Sequence, residues 1–110
     1  MRKDNSFYLT HILEAIKSIE EYTDGYSYDD FIVSKKTQDA VIRNFEIIGE
    51  AANNLDEDFI TTHSAVAWEK LVSMRNLLIH EYFGVDLDIV WDTIQEDVPE
   101  LKEKLVDILH

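Results

Sequence analysis

Apolar residues return every three or four positions over most of the chain, the spacing that lines one face of an α-helix. Leu9, Ile12, Leu13, Ile16 and Ile19 set this rhythm first and predict a helix over about Ser6 to Glu21. Thr23-Asp24-Gly25 ends it, because Gly25 is free to take the left-handed conformation past the last turn. Tyr26 to Ser34 reads as a connector with one helical turn around Asp29-Asp30-Phe31.

A second long helix is predicted from Lys35 to Leu55, with Ser34 as its N-cap. Val41, Phe45, Ile48, Ala52 and Leu55 form its stripe, and Ala40, Ile47 and Ala51 widen it. A face that broad implies two neighbours. Gly49, Ala51 and Ala52 are small enough for another helix to approach closely, although Gly49 costs about 1 kcal/mol of helix propensity. Asn53 to Ala67 is polar and broken, a loop with a short turn at Asp56 to Ile60.

The third helix is predicted over Ala67 to Tyr82, with Trp68, Leu71, Val72, Leu78 and Ile79 as its core face. Gly84 stops it, and Asp86 is placed to cap the last helix. That helix carries Leu87, Val90, Trp91, Ile94, Val98, Leu101, Leu105 and Ile108. Pro99 interrupts it, either as a kink or as the first turn of a new segment. The expected architecture is all-α: an up-and-down bundle of four to five helices, one domain over residues 1–110.

Composition narrows the function. Three Gly and one Pro are too few for the turns of a sandwich or barrel, and no Cys is present for disulfides or thiolate metal sites. No apolar run is long enough to span a membrane, and Met1-Arg2-Lys3-Asp4 opens without a secretory h-region. A cytoplasmic location is expected. Twenty-three acids against ten Lys plus Arg give a net charge of −13. Such a chain is repelled at long range by polyanions, so any nucleic-acid role must rest on a local site.

Most catalytic motifs are missing. There is no Gly-rich phosphate loop, no HExxH and no EF-hand pattern. The four histidines are scattered, and Glu46 and Glu50 lack the Glu-x-x-His partners of a di-iron bundle, so neither metal nor cofactor is expected. One segment differs: Met74-Arg75-Asn76-Leu77-Leu78-Ile79-His80-Glu81-Tyr82. Arg75 falls within an apolar stripe, where a charge needs a partner, a cleft or an interface. Asn76 and His80 are one turn apart, and Tyr82 lies seven residues beyond Arg75. The long Arg75 side chain can reach around toward His80, so guanidinium, imidazole, amide and phenol are expected to converge near the end of one helix, where they can bind phosphate and move a proton. A structural role fits the same spacing: Arg75 pairing with Glu46, Glu50 or another acid, His80 capping the helix end, and Tyr82 packing at the core edge. The pattern leaves both open, and it assigns no role to Arg43, Glu46 or Glu50.

The order Arg75-x4-His80-x-Tyr82, running on through Phe83-Gly84-Val85-Asp86, resembles the signature of HepT-like toxins of the HEPN superfamily. Ala40-Val41-Ile42-Arg43-Asn44-Phe45-Glu46-Ile47-Ile48-Gly49-Glu50-Ala51 is similar to the family's second motif, and Trp68 and Val90-Trp91 also fit. The resemblance implies a HEPN-like helical domain acting as a metal-independent endoribonuclease on transfer or messenger RNA. It implies a homodimer and a type VII-like toxin–antitoxin pair with an MntA-like nucleotidyltransferase. By position, Arg75 and His80 are then catalytic, and Asn76 and Tyr82 contact substrate. Tyr82 is also the residue that receives AMP from the antitoxin. A single imidazole does not readily serve as both base and acid in one step, whereas a two-fold dimer would bring two. The alternative is a non-catalytic nucleotide-binding or docking subunit for a nucleotidyltransferase.

Overall fold

The computed structural model describes residues 4–80 and 84–109. Every regular element among them is helical: α1 (Asn5–Thr23), α2 (Tyr28–Ile32), α3 (Lys35–Asn53), α4 (Glu57–Thr62), α5 (Trp68–His80), α6 (Leu87–Asp92) and α7 (Val98–Leu109). A π-helical turn over Thr93–Asp97 joins α6 to α7. The helix ends are set by local chemistry. Asp4, Ser34 and Asp86 each accept a backbone N–H of the first turn they cap. Gly25 sits at φ +75° past α1, the left-handed residue its type allows.

The long helices lie side by side, with α3 packed against both α1 and α5, and α7 packed against α1. The broad stripe of α3 meets those two neighbours: Val41, Phe45, Ile48, Ala52 and Leu55 are all buried. The two connectors fold further than their sequences suggest. Ser27 and Asp30 form a reciprocal capping box, and buried Phe31 anchors the short α2 beneath the Trp91 ring, 5.3 Å away between centroids. Phe59 of α4 stacks between His63 and Trp68, at 4.3 and 5.9 Å. Together with the division of the last helix, these turns raise the element count above the four or five expected.

Pro99 resolves that division. Its ring has no N–H to donate and needs room beside the carbonyl four residues back. The helix widens just before it, where the Val98 N–H reaches back five residues to the Thr93 carbonyl. The chain passes Pro99 through a π turn, with Ile94, Val98 and Leu101 kept on the buried side.

Ile79 departs from its expected place. It is 46% exposed, so it belongs to the outer face of α5, while Trp68 and Leu78 carry the buried side. Among the described residues, no helix is long and apolar enough to cross a membrane.

Candidate active site

The site begins where α5 crosses α3. Gly49 is buried there, and its missing side chain leaves room for Leu71 and Arg75 of α5. Close approach at that point draws the Arg75 side chain alongside α3. It is only 19% exposed, so most of its stem lies against the helix pair.

The guanidinium is held on two sides. Its Nη1 donates to Glu50 Oε2, one residue beyond the glycine. Its Nε and Nη2 both donate to Asn76 Oδ1, at 3.1 and 2.8 Å. Three of the five N–H groups of an arginine are thereby committed, which leaves two to donate to an anion. Glu50 itself is 61% exposed, so the pair is screened and adds little to folding. Its consequence is orientation of the arginine.

Glu46, one turn earlier on α3, pairs with Arg43 at 3.8 Å instead. The two carboxylates that sit a turn apart thus serve two different arginines. Among the described residues, no three His, Asp or Glu side chains gather to hold a metal ion.

His80 is the last residue of α5 and is exposed. Among the described residues, its imidazole makes no hydrogen bond or ion pair with Arg75 or Asn76. Helix geometry accounts for the separation from Arg75: five residues advance about 7.5 Å along the axis and turn about 140° around it. The structure therefore brings Arg75, Asn76 and Glu50 together and leaves His80 apart from them, exposed on the same helix. Tyr82, expected to contact substrate and to receive AMP, lies outside the described residues. So does the end of the helix expected to reach it.

Two cavities open on the other side of α5. A groove of about 410 Å³ lies toward the π turn and α7, with Met74, Leu77, Thr93 and Leu101 on its walls and Lys70 and Lys104 among its polar lining. A smaller one of about 190 Å³ adjoins it, lined by Met74, Leu77, Leu78, Val85 and Ile89. Neither is lined by Arg75, Asn76 or His80.

Glu50 is the site residue that sequence reading left unassigned among several acids. The available signal was its place next to Gly49, since the helix that comes closest to the glycine also comes within reach of the following side chain.

An all-helical domain with an oriented arginine and an exposed histidine on one helix is the class of protein defined so far. Comparison with known proteins makes it particular. Residues 12–108 match the family described as Ribonuclease HepT-like. A "Probable ribonuclease HepT" of Thermococcus cleftensis is 48% identical over 104 residues, covering 94% of each chain. A protein of Methanocaldococcus jannaschii named "Gamma-glutamylcyclotransferase and putative RNase MJ0434" is 50% identical over 110 residues. All of this chain aligns to it, but the chain spans only 50% of that relative's length. A further protein of the same archaeon, "Putative RNase MJ0127", is 43% identical over 111 residues, covering 97% of this chain and 92% of its own. No solved structure matches. The chain belongs to the HepT-like ribonuclease family.

Proposed function

We propose that this protein is a metal-independent endoribonuclease, the toxin of a type VII-like HEPN/MNT toxin–antitoxin pair. The observation that carries the reading is the arginine: Arg75 is oriented by Glu50 and Asn76, with two N–H donors left, on the helix that also carries exposed His80. Family membership supplies the substrate class.

In this reading the imidazole of His80 takes the proton of a ribose 2′-hydroxyl, and that oxygen attacks the adjacent phosphorus. Arg75 stabilises the charge that builds on the phosphorane oxygens. The bond from phosphorus to the 5′-oxygen breaks, and the departing oxygen receives a proton. The products are a 2′,3′-cyclic phosphate and a 5′-hydroxyl. A homodimer provides a second His80 as the acid, so neither imidazole does both tasks. Because Arg75 and His80 lie on different sides of one helix, a second copy is also the simplest way to place an arginine and a histidine around one phosphate. The partner antitoxin, an MntA-like nucleotidyltransferase, silences the site by attaching AMP to Tyr82, which adds bulk and negative charge beside the phosphate-binding arginine.

Incubation of the purified protein with total RNA in the presence of EDTA tests this, with His80→Ala in parallel. Cleavage leaving 2′,3′-cyclic ends, absent from His80→Ala, is the expected result. No cleavage by the wild type, or equal cleavage by both, would leave a docking subunit as the better account.

A further inference from the structure

We infer that Glu50 is a positioning residue for the RNA-cleaving reaction, acting through Arg75 without touching the substrate. The inference rests on the reading of Arg75 as the phosphate-contacting group. It starts from an asymmetry in how the guanidinium is held. Asn76 takes Nε and Nη2 through a single oxygen, from the same helix and the next residue in the chain. That contact alone leaves the arginine free to swing with α5 and its own χ angles. The Glu50 bond to Nη1 comes from a different helix, twenty-five residues away, and ties the guanidinium to α3. Two anchors on two elements fix a plane where one would fix only an edge.

The glycine beside Glu50 argues in the same direction. Gly49 lets the Leu71 carbonyl and the base of the Arg75 side chain approach α3 so closely that a carboxylate one residue on can reach the head group. Glu46, a turn away, pairs with Arg43 instead. A pair whose carboxylate is 61% exposed contributes little to stability, so folding alone is a weak reason for this arrangement. Orientation of the two unused N–H donors toward a phosphate is the stronger one. A misplacement of about 1 Å in such a group can cost up to about 100-fold in rate.

The opposite role for the same carboxylate is to occupy the arginine and compete with the phosphate. The two roles separate kinetically. A positioning Glu50 acts on kcat, because the transition state depends on the aim of Arg75; a competitor acts on KM, because it must be displaced for substrate to bind.

The experiment uses the full chain and a single-site RNA substrate, with Glu50→Ala, Glu50→Gln, Arg75→Lys, Arg75→Ala and Glu50→Ala combined with Arg75→Lys. Glu50→Ala is expected to lower kcat roughly 10- to 100-fold with little change in KM and an unchanged melting temperature. Glu50→Gln, which keeps an oxygen acceptor but loses the charge, is expected to fall between Glu50→Ala and wild type. In the Arg75→Lys background, where there is no planar fork to hold, the Glu50→Ala penalty should largely vanish. Nitrogen-resolved NMR adds a readout that needs no turnover: separate Arg75 Nη signals in the wild type should collapse in Glu50→Ala as the head group is released. Wild-type kcat in Glu50→Ala, a fall in KM with kcat unchanged, or a penalty undiminished in the Arg75→Lys background would overturn the inference. Those outcomes leave the ribonuclease reading standing if Arg75→Ala is inactive. If wild type and Arg75→Ala cleave equally, it is that reading which fails, and the NMR comparison still decides whether Glu50 holds the arginine.

Discussion

Gly49 lies so close beneath Arg75 that a methyl group on its α-carbon would overlap the arginine's Cβ and stand 2.7 Å from the Leu71 carbonyl oxygen. Both obstacles belong to α5, and one of them is backbone, so no side-chain rotation relieves the clash. The residue that admits the helix therefore also sets the height at which the arginine emerges.

Gly49→Ala should accordingly destabilise the fold although alanine is the better helix former by about 1 kcal/mol. Forcing the helices apart costs typically 1–3 kcal/mol, a loss of several degrees in melting temperature for a domain of this size. Thermal unfolding by circular dichroism measures it. A gain in melting temperature would show that α5 moves aside without penalty. Cleavage should fall further than stability, since Arg75 moves with α5.

His80→Ala is expected to do the reverse. The imidazole is exposed, so removing it should change stability by no more than about 0.5 kcal/mol. Loss of general acid–base catalysis typically costs 10²- to 10⁴-fold in rate. Unfolding curves and single-turnover cleavage on the same preparation check both halves. A large loss of stability would mean that His80 has a structural role in holding α5 in place.

Leu77 tests the homodimer. It is 43% exposed and lines both cavities beside α5, the smaller of them together with Ile89, itself 50% exposed. Burial of these side chains against a second copy removes apolar surface from water. Leu77→Glu should then sediment as a folded monomer and lose RNA cleavage. A variant that stays dimeric and active would place the dimer contact elsewhere.

The pH prediction concerns the clamp between α2 and α6. The Tyr28 hydroxyl donates to Asp88, and that bond, some burial and the negative charges of Asp88, Asp86 and Asp29 raise the phenol above its usual value of 10.0. A raised folded value means that the neutral phenol is favoured in the native state. Its contribution is complete below pH 10 and is lost as pH rises through the folded value. In an ultraviolet titration, Asp88→Ala should bring one tyrosine back toward ordinary ionisation. An unchanged titration curve would show that the bond does not persist in solution.

Binding of RNA should depend only weakly on salt. With a net charge of −13, few cations are available to displace counterions from RNA. Two to four phosphate contacts around Arg75 in a dimer give a log–log slope of roughly −1.4 to −2.8, at about −0.7 per phosphate on a single strand. The measurement uses His80→Ala and an uncleavable RNA across a salt series. A slope steeper than about −5 would reveal a basic surface assembled by the fold.

The sequence by itself determined the long helices, because periodicity and capping are local. Lys35 as a helix start, Gly25 as a left-handed stop and the two-neighbour face of α3 all follow from residue type and spacing. It also placed Arg75, Asn76 and His80 on one helix, and the run around them pointed to the family. Tertiary structure decided which acid Arg75 would meet. Glu46 and Glu50 share a face by spacing, and only the crossing point of α5 at Gly49 makes Glu50 the partner. It likewise turned Ile79 outward, because the burial of a helix face depends on where its neighbours lie, a quantity no local pattern contains. The π turn before Pro99 belongs to the same kind: proline demands a break, but the buried positions of Ile94, Val98 and Leu101 decide that the helix widens there instead of ending.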